Sequence, residues 1–167
     1  MNKNILCLPI SIAILFSLVN YASAQSRSGR PNFSAEKEAI ERLFAAWNSS
    51  DAEKVVAAFS DDVVYEDVAA AQLNRGSGDV RKWVSGAFAG IDNFKLEVVG
   101  SSFHEGGGVV EWIWSGTDKG LFKTGRSFSV RGVSVIQVRK GKVSSYKEYY
   151  DFATVMRQLG LLPPEKK

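Results

Sequence analysis

The sequence predicts an α+β domain with its helices segregated onto one face of an antiparallel sheet. Three amphipathic helical segments come early in the chain, strand-like segments with two-residue alternation follow, and the longest of these runs from Ser127 to Arg139 without a break. Phe128, Val130, Gly132, Ser134, Ile136 and Val138 fall on one side of it, and Ser129, Arg131, Val133, Val135 and Gln137 on the other. Lys140-Gly141-Lys142 then turns the chain, glycine supplying the positive φ of a tight hairpin. Val143 to Tyr150 returns as the partner strand. Both sides of the long strand carry Val or Ile, and helices can cover only one. The other side is expected to meet a second copy of the chain, as a homodimer through the outer sheet face.

The first 24 residues read as a separate object. Lys3 gives a basic start, Ile5 to Val19 is apolar, and Ala22-Ser23-Ala24 places small residues at a cleavage site. This is the layout of a secretory signal peptide, with Gln25 as the expected mature N-terminus and a periplasmic or secreted destination. The apolar core, interrupted by Pro9, falls short of the ~20 residues that span a bilayer, so no stable membrane anchor is expected after cleavage. Residues 25–33 are a tether, 34–162 the domain, and 163–167 a short tail.

Within the domain, Ser34 is expected to cap a first helix with Glu36 and Glu38 in its opening turn. Ile40, Leu43, Phe44 and Trp47 form its apolar stripe. Asn48 to Asp51 breaks it, and Ser50 with Glu53 is expected to form a capping box for a second helix carrying Val55, Val56 and Phe59. Val63 to Asp67 reads as a short strand and Ala69 to Gly78 as loop. A third helix, Asp79 to Ile91, presents Val80, Trp83, Val84, Ala87 and Phe88 on one stripe. Phe94, Leu96 and Val98 alternate in the next strand, Gly106 to Gly108 turns, and Val110, Trp112 and Trp114 alternate in the one after it. A short helix from Phe152 to Gly160 ends the fold.

Composition narrows the chemistry. Cys7 is the only cysteine and lies in the leader, so the mature chain has no thiol for catalysis, metal binding or disulfides. His104 is the single histidine, which leaves no histidine cluster; no metal and no cofactor are expected. Without Lys3 there are 20 basic against 18 acidic side chains. The basic ones are scattered, so no nucleic-acid partner is expected.

Two stretches resemble a known family. Ile40 to Val68 (IERLFAAWNSSDAEKVVAAFSDDVVYEDV) is similar to the opening of the nuclear transport factor 2-like superfamily, which holds ketosteroid isomerases and SnoaL-like polyketide cyclases. Thr124 to Asp151 (TGRSFSVRGVSVIQVRKGKVSSYKEYYD) resembles the last hairpin of SnoaL-like and limonene-epoxide-hydrolase-type domains, and Tyr149 to Asp151 with Gln158 to Leu161 resembles their usual ending. The resemblance implies a cone: a curved antiparallel sheet packed on three N-terminal helices, with a short C-terminal helix and a pocket for a small apolar or carbonyl-bearing ligand. It also implies a dimer through the sheet's outer face.

The same resemblance places Asp67, in Tyr65-Glu66-Asp67, where isomerase-like proteins carry a general base. A carboxylate in an apolar cone has its pKa raised, which suits proton abstraction beside a carbonyl; the other reading is a turn-forming aspartate. Asp151 matches the catalytic aspartate of the closing strand, and equally suits the cap of the last helix. The enolate-stabilising donors of an isomerase, a tyrosine and a protonated aspartate in the general case, fall on Leu43 and Ser134. The Arg and Asp of an epoxide hydrolase fall on Trp112 and Trp114. Trp47, Trp112, Trp114 and Phe128 are expected to line the pocket or pack the core, with Tyr65 and Tyr150 adding hydroxyls. Two functions stay open. One is proton-transfer chemistry (cyclisation, isomerisation or hydration) by Asp67 and Asp151; the other is a non-catalytic ligand-binding or assembly domain.

Overall fold

In the computed structural model, which describes residues 32–164, the first helix α1 (Ser34–Asn48) buries the predicted stripe of Ile40, Leu43, Phe44 and Trp47. The signal peptide expected over residues 1–24, and most of the tether, lie outside the described residues. Ser34 is the first residue of α1 rather than its cap; Phe33 holds that position without a side-chain bond. The second helix, α2 (Ala52–Ala58), is capped by Asp51, whose Oδ1 accepts from the Glu53 and Lys54 amides at 3.0 and 3.3 Å. The expected Ser50–Glu53 capping box is thus replaced by a simple aspartate cap one residue later. Ser50 precedes the cap in a left-handed conformation, φ 53°, that closes the break after α1.

The strands are β1 (Phe59–Asp67), β2 (Gln72–Arg75), β3 (Ile91–His104), β4 (Gly107–Asp118), β5 (Ser127–Arg139) and β6 (Lys142–Tyr150). Helix α3 (Gly76–Gly90) follows β2, and α4 (Phe152–Gln158) follows β6. The six strands form one curved, unclosed sheet in the order β2-β1-β6-β5-β4-β3. Two features depart from the expectation. The stretch 69–78 is not all loop, because β2 pairs antiparallel with β1 before Gly76, at φ 74°, turns the chain into α3. Four residues at a sheet edge are too few to show a period. The sheet is also mixed rather than antiparallel, since β1 and β6 run parallel. Pairing between segments some eighty residues apart leaves no local mark.

The hairpin β5–β6 forms as its alternation predicts. Lys140 and Gly141 turn it with φ of 51° and 73°. Phe128, Val130, Ser134 and Ile136 face inward. Ile136, Trp112, Val110, Val143 and Tyr146 pack against Ile40, Leu43, Val55, Val80 and Val84 of the helices, and Phe128 and Val130 join Ile91, Val155 and Leu159 in a second cluster. Full burial of each aliphatic side chain contributes roughly 1.5–3 kcal/mol. Asn48, at the end of α1, locks that helix to the edge strand β3. Its amide donates to the Leu96 carbonyl and its oxygen accepts from the Leu96 amide, both at 2.8 Å. That pair of bonds fixes where the neighbouring Trp47 sits.

Candidate functional site

Strand alternation and one parallel register build the site. Tyr65 and Asp67 share a face of β1, and Tyr146, Glu148 and Tyr150 share the corresponding face of β6. The register sets Tyr65 beside Tyr146 and Asp67 beside Glu148. Two carboxyl groups thus become cross-strand neighbours on the concave side.

Each is held by donors. Tyr150 donates to Asp67 Oδ2 and the Ala70 amide to Asp67 Oδ1, both at 2.9 Å. Tyr65 donates to Glu148 Oε1, and Trp83 Nε1 donates to the Tyr65 hydroxyl at 3.2 Å. Tyr146 also bonds Glu148. Behind it, Trp112 Nε1 donates to Ser134 Oγ at 2.8 Å and Ser134 donates to the Tyr146 oxygen at 2.7 Å. This buried chain orients the Tyr146 hydroxyl proton toward Glu148.

Burial raises the Asp67 pKa, opposed by the Ala70 and Tyr150 hydrogen bonds. Glu148 is pushed up to about 8, by burial first and then by the negative charge of Asp67, against the pull of Tyr65 and Tyr146. At neutral pH Glu148 is largely a neutral acid beside a hydrogen-bonded aspartate. Burial and the same negative charges raise Tyr150 as well.

These groups form one wall of a cavity of about 350 Å³, within the range of small-molecule pockets. Trp47 from α1, Trp83 from α3, Phe94 from β3 and Trp112 and Trp114 from β4 supply large rings to the rest. Their rings interlock. Trp114 meets Phe128 edge-on at 4.6 Å and Tyr150 at 5.5 Å, and Trp47 stacks on Phe94 at 5.5 Å. Leu121 and Phe122 sit at the rim on a loop fixed by Asp118, whose carboxylate accepts from the Phe122 and Thr124 amides and the Thr124 hydroxyl.

Of the residues singled out in the sequence, Asp67, Trp47, Tyr65, Trp112, Trp114, Phe128 and Tyr150 line this cavity. Leu43 does not; it is wholly buried in the helix–sheet core. Ser134 is also fully buried and is spent in the bonds between Trp112 and Tyr146. Asp151 is exposed and caps α4, its carboxylate accepting from the Thr154 hydroxyl and from the Thr154 amide at 2.9 Å. The catalytic expectation for Asp151 is corrected accordingly, because the strand ends one residue earlier and the chain has already turned away.

The Thr154 hydroxyl and amide hold the Asp151 pKa below the usual carboxylate range. A lowered folded pKa adds stability above the unfolded value, which is lost as pH falls through the folded one. Asp151→Ala should therefore lower the melting temperature by a few degrees at pH 7 and by less near pH 3, with Asp151→Asn close to wild type because Asn also caps. Thermal melts at the two pH values check this.

Glu148 and Asp118 are the residues that sequence reasoning overlooked. Parity marks Glu148, two residues from Tyr146 and two from Tyr150 on the inward side. Asp118 carries no such mark, since its role depends on the loop it organises.

A curved sheet and the helices packed on it enclose an apolar chamber, with Asp67 and Glu148 side by side on one wall, in an α+β domain. The chain belongs to the SnoaL-like domain family, which matches residues 40–146. Among solved structures, it is similar to a protein of ketosteroid isomerase-like fold from Catenulispora acidiphila in complex with trimethylamine, at 22% identity over 75% of this chain and 94% of that one, TM-score 0.68. A candidate polyketide cyclase from Xanthomonas campestris is 18% identical over 77% and 99%, TM-score 0.68. An epoxide hydrolase of the LEH-like type from M. tuberculosis is 19% identical over 77% and 92%, TM-score 0.65. Identities this low show a shared fold. No curated protein matches the chain.

Proposed function

We propose that the cavity binds a small, largely apolar molecule and that Asp67 and Glu148 move a proton on it. The observation that carries this reading is the pair of neighbouring carboxyls on one wall of an apolar chamber, where burial pushes Glu148 up to about 8. Asp67, already an acceptor for Tyr150 and Ala70, takes a proton from carbon beside a carbonyl. Glu148, neutral below about pH 8 and aligned by Tyr65 and Tyr146, returns one to the product. Cyclisation, isomerisation and hydration all need such a base and acid. Relatives of this fold described as a cyclase and a hydrolase, and one holding a small amine, fit a chamber of this size.

A binding-only role is the second reading. It is favoured by Leu43 and Ser134, the two positions where the family resemblance would place proton donors, since neither reaches the cavity. Exchange of α-protons of small cyclic ketones in D2O, followed by proton NMR, separates the two. The enzyme reading expects catalysed exchange that falls by about a hundredfold or more in Asp67→Asn and is unchanged in Asp151→Asn. Absence of exchange above background across the panel favours binding alone, and equal catalysed exchange in Asp67→Asn removes Asp67 from the role of base.

We further propose a homodimer through the outer sheet face, where Val109, Val135 and Tyr149 are exposed on adjacent strands. Charged pairs, Arg131 with Glu111 and Lys147 with Glu66, flank this strip at 3.3 Å. Val133→Glu should convert a dimer to a monomer in size exclusion with light scattering. A wild type that is monomeric at high micromolar concentration would rule the interface out.

A further inference from the structure

We infer that the ligand of the cavity is an organic cation, an apolar body whose positive charge seats against the wall formed by Asp67 and Glu148. This rests on the cavity being a small-molecule site and adds the charge of the molecule. Asp67 is buried, only 3% exposed, and Glu148 is its cross-strand neighbour. Burying two carboxylates together is costly unless a positive charge accompanies them. No described residue lining the cavity provides it. Lys82, the one cation among them, is 84% exposed and paired with Asp79 at 3.8 Å on its own helix.

Yet the surrounding hydrogen bonds are arranged for anions. Tyr150 and the Ala70 amide donate to Asp67, and Tyr65 and Tyr146 donate to Glu148. Ser134, with its proton committed to the Tyr146 oxygen, leaves that phenol free to donate onward. Donors at every turn, with no counter-charge among the described lining residues, leave the negative charge of the wall uncompensated. The free protein meets it by keeping a proton on Glu148. A bound cation would meet it instead.

The remaining walls suit the same occupant. Trp112, Trp114 and Tyr150 lie together, ring centroids 5.5 to 6.1 Å from Tyr150, and Tyr150 touches Asp67. Aromatic rings beside carboxylates attract alkylammonium groups through the ring quadrupole as well as by apolar contact. A neutral hydrocarbon would use the rings and leave the paired charge without a partner.

Calorimetric titration of the protein at pH 8.5 with choline and with 3,3-dimethylbutan-1-ol, its neutral isostere, tests the inference. Choline should bind about tenfold tighter or better. The preference should vanish in the double variant Asp67→Asn with Glu148→Gln, and shrink in Asp67→Asn alone, which serves if the double variant does not fold. Binding of the alcohol should be the same in all. If the alcohol binds as tightly as choline or tighter, the charge assignment is overturned while the small-molecule site stands. If neither binds, both fail. A preference for choline that survives Asp67→Asn undiminished also overturns it, since the cation would then be held elsewhere.

Discussion

Glu148→Gln should flatten the fall in stability that the wild type shows between about pH 5 and 8. The folded value of about 8 lies above the ordinary 4.5, so in that window the unfolded chain is ionised while the folded one still holds the proton. The unfolded state then binds fewer protons, and stability falls as pH rises through the window and levels off above it. The full displacement corresponds to ~5 kcal/mol at 1.36 kcal/mol per unit; partial access to the cavity reduces this to about 3 kcal/mol. Glutamine stays neutral and keeps an oxygen for Tyr65. The variant should be slightly less stable than wild type at pH 5 and about 2 kcal/mol more stable at pH 8.5. Urea unfolding at pH 5, 7 and 8.5 measures both slopes, and parallel slopes would mean that Glu148 is not a desolvated acid. Asp118 and Asp151, held below the usual carboxylate range, act only on acidification and leave this window clear. Asp67, which is raised, adds a slope of the same sign to both proteins.

Gly132→Val should cost about 3 kcal/mol and dismantle the cavity wall. A Cβ at this position would lie 2.2 Å from Trp112 Cη2 and 2.5 Å from Cζ3. Gly132 pairs with Trp112 across β4 and β5, and the missing side chain is the space that the indole fills. Trp112 is 1% exposed, so it has no room to retreat within a packed core. Moving it breaks its 2.8 Å bond to Ser134 and frees the Tyr146 hydroxyl that faces Glu148. Unfolding curves should shift to lower urea, and tryptophan emission should move to longer wavelength as the ring meets water. Normal stability with unshifted emission would show that the wall does not depend on this close approach.

Much of the framework is readable in the chain because it rests on local periodicity. The stripe of α1, the helix around Val80 and Val84, the alternation from Ser127 to Arg139 and the Lys140–Gly141 turn are each fixed by neighbours a few residues away. The inward set of the long strand follows from parity alone. So do most cavity residues, since Trp112 and Trp114, Tyr65 and Asp67, and Phe128 all stand on buried sides of strands that alternate in the sequence.

The site itself was decided by contacts between distant segments. Asp67 and Glu148 become neighbours through the parallel pairing of β1 with β6, which spans eighty residues and carries no local signature. Asp151 differs from Glu148 by three positions in sequence, and the end of a strand separates a cavity acid from an exposed helix cap. Sequence alone determined which face of each element is apolar, because that depends on period and side-chain type. Tertiary structure alone decided which carboxyls lose water and which keep it, because desolvation depends on what packs over a group rather than on what adjoins it in the chain.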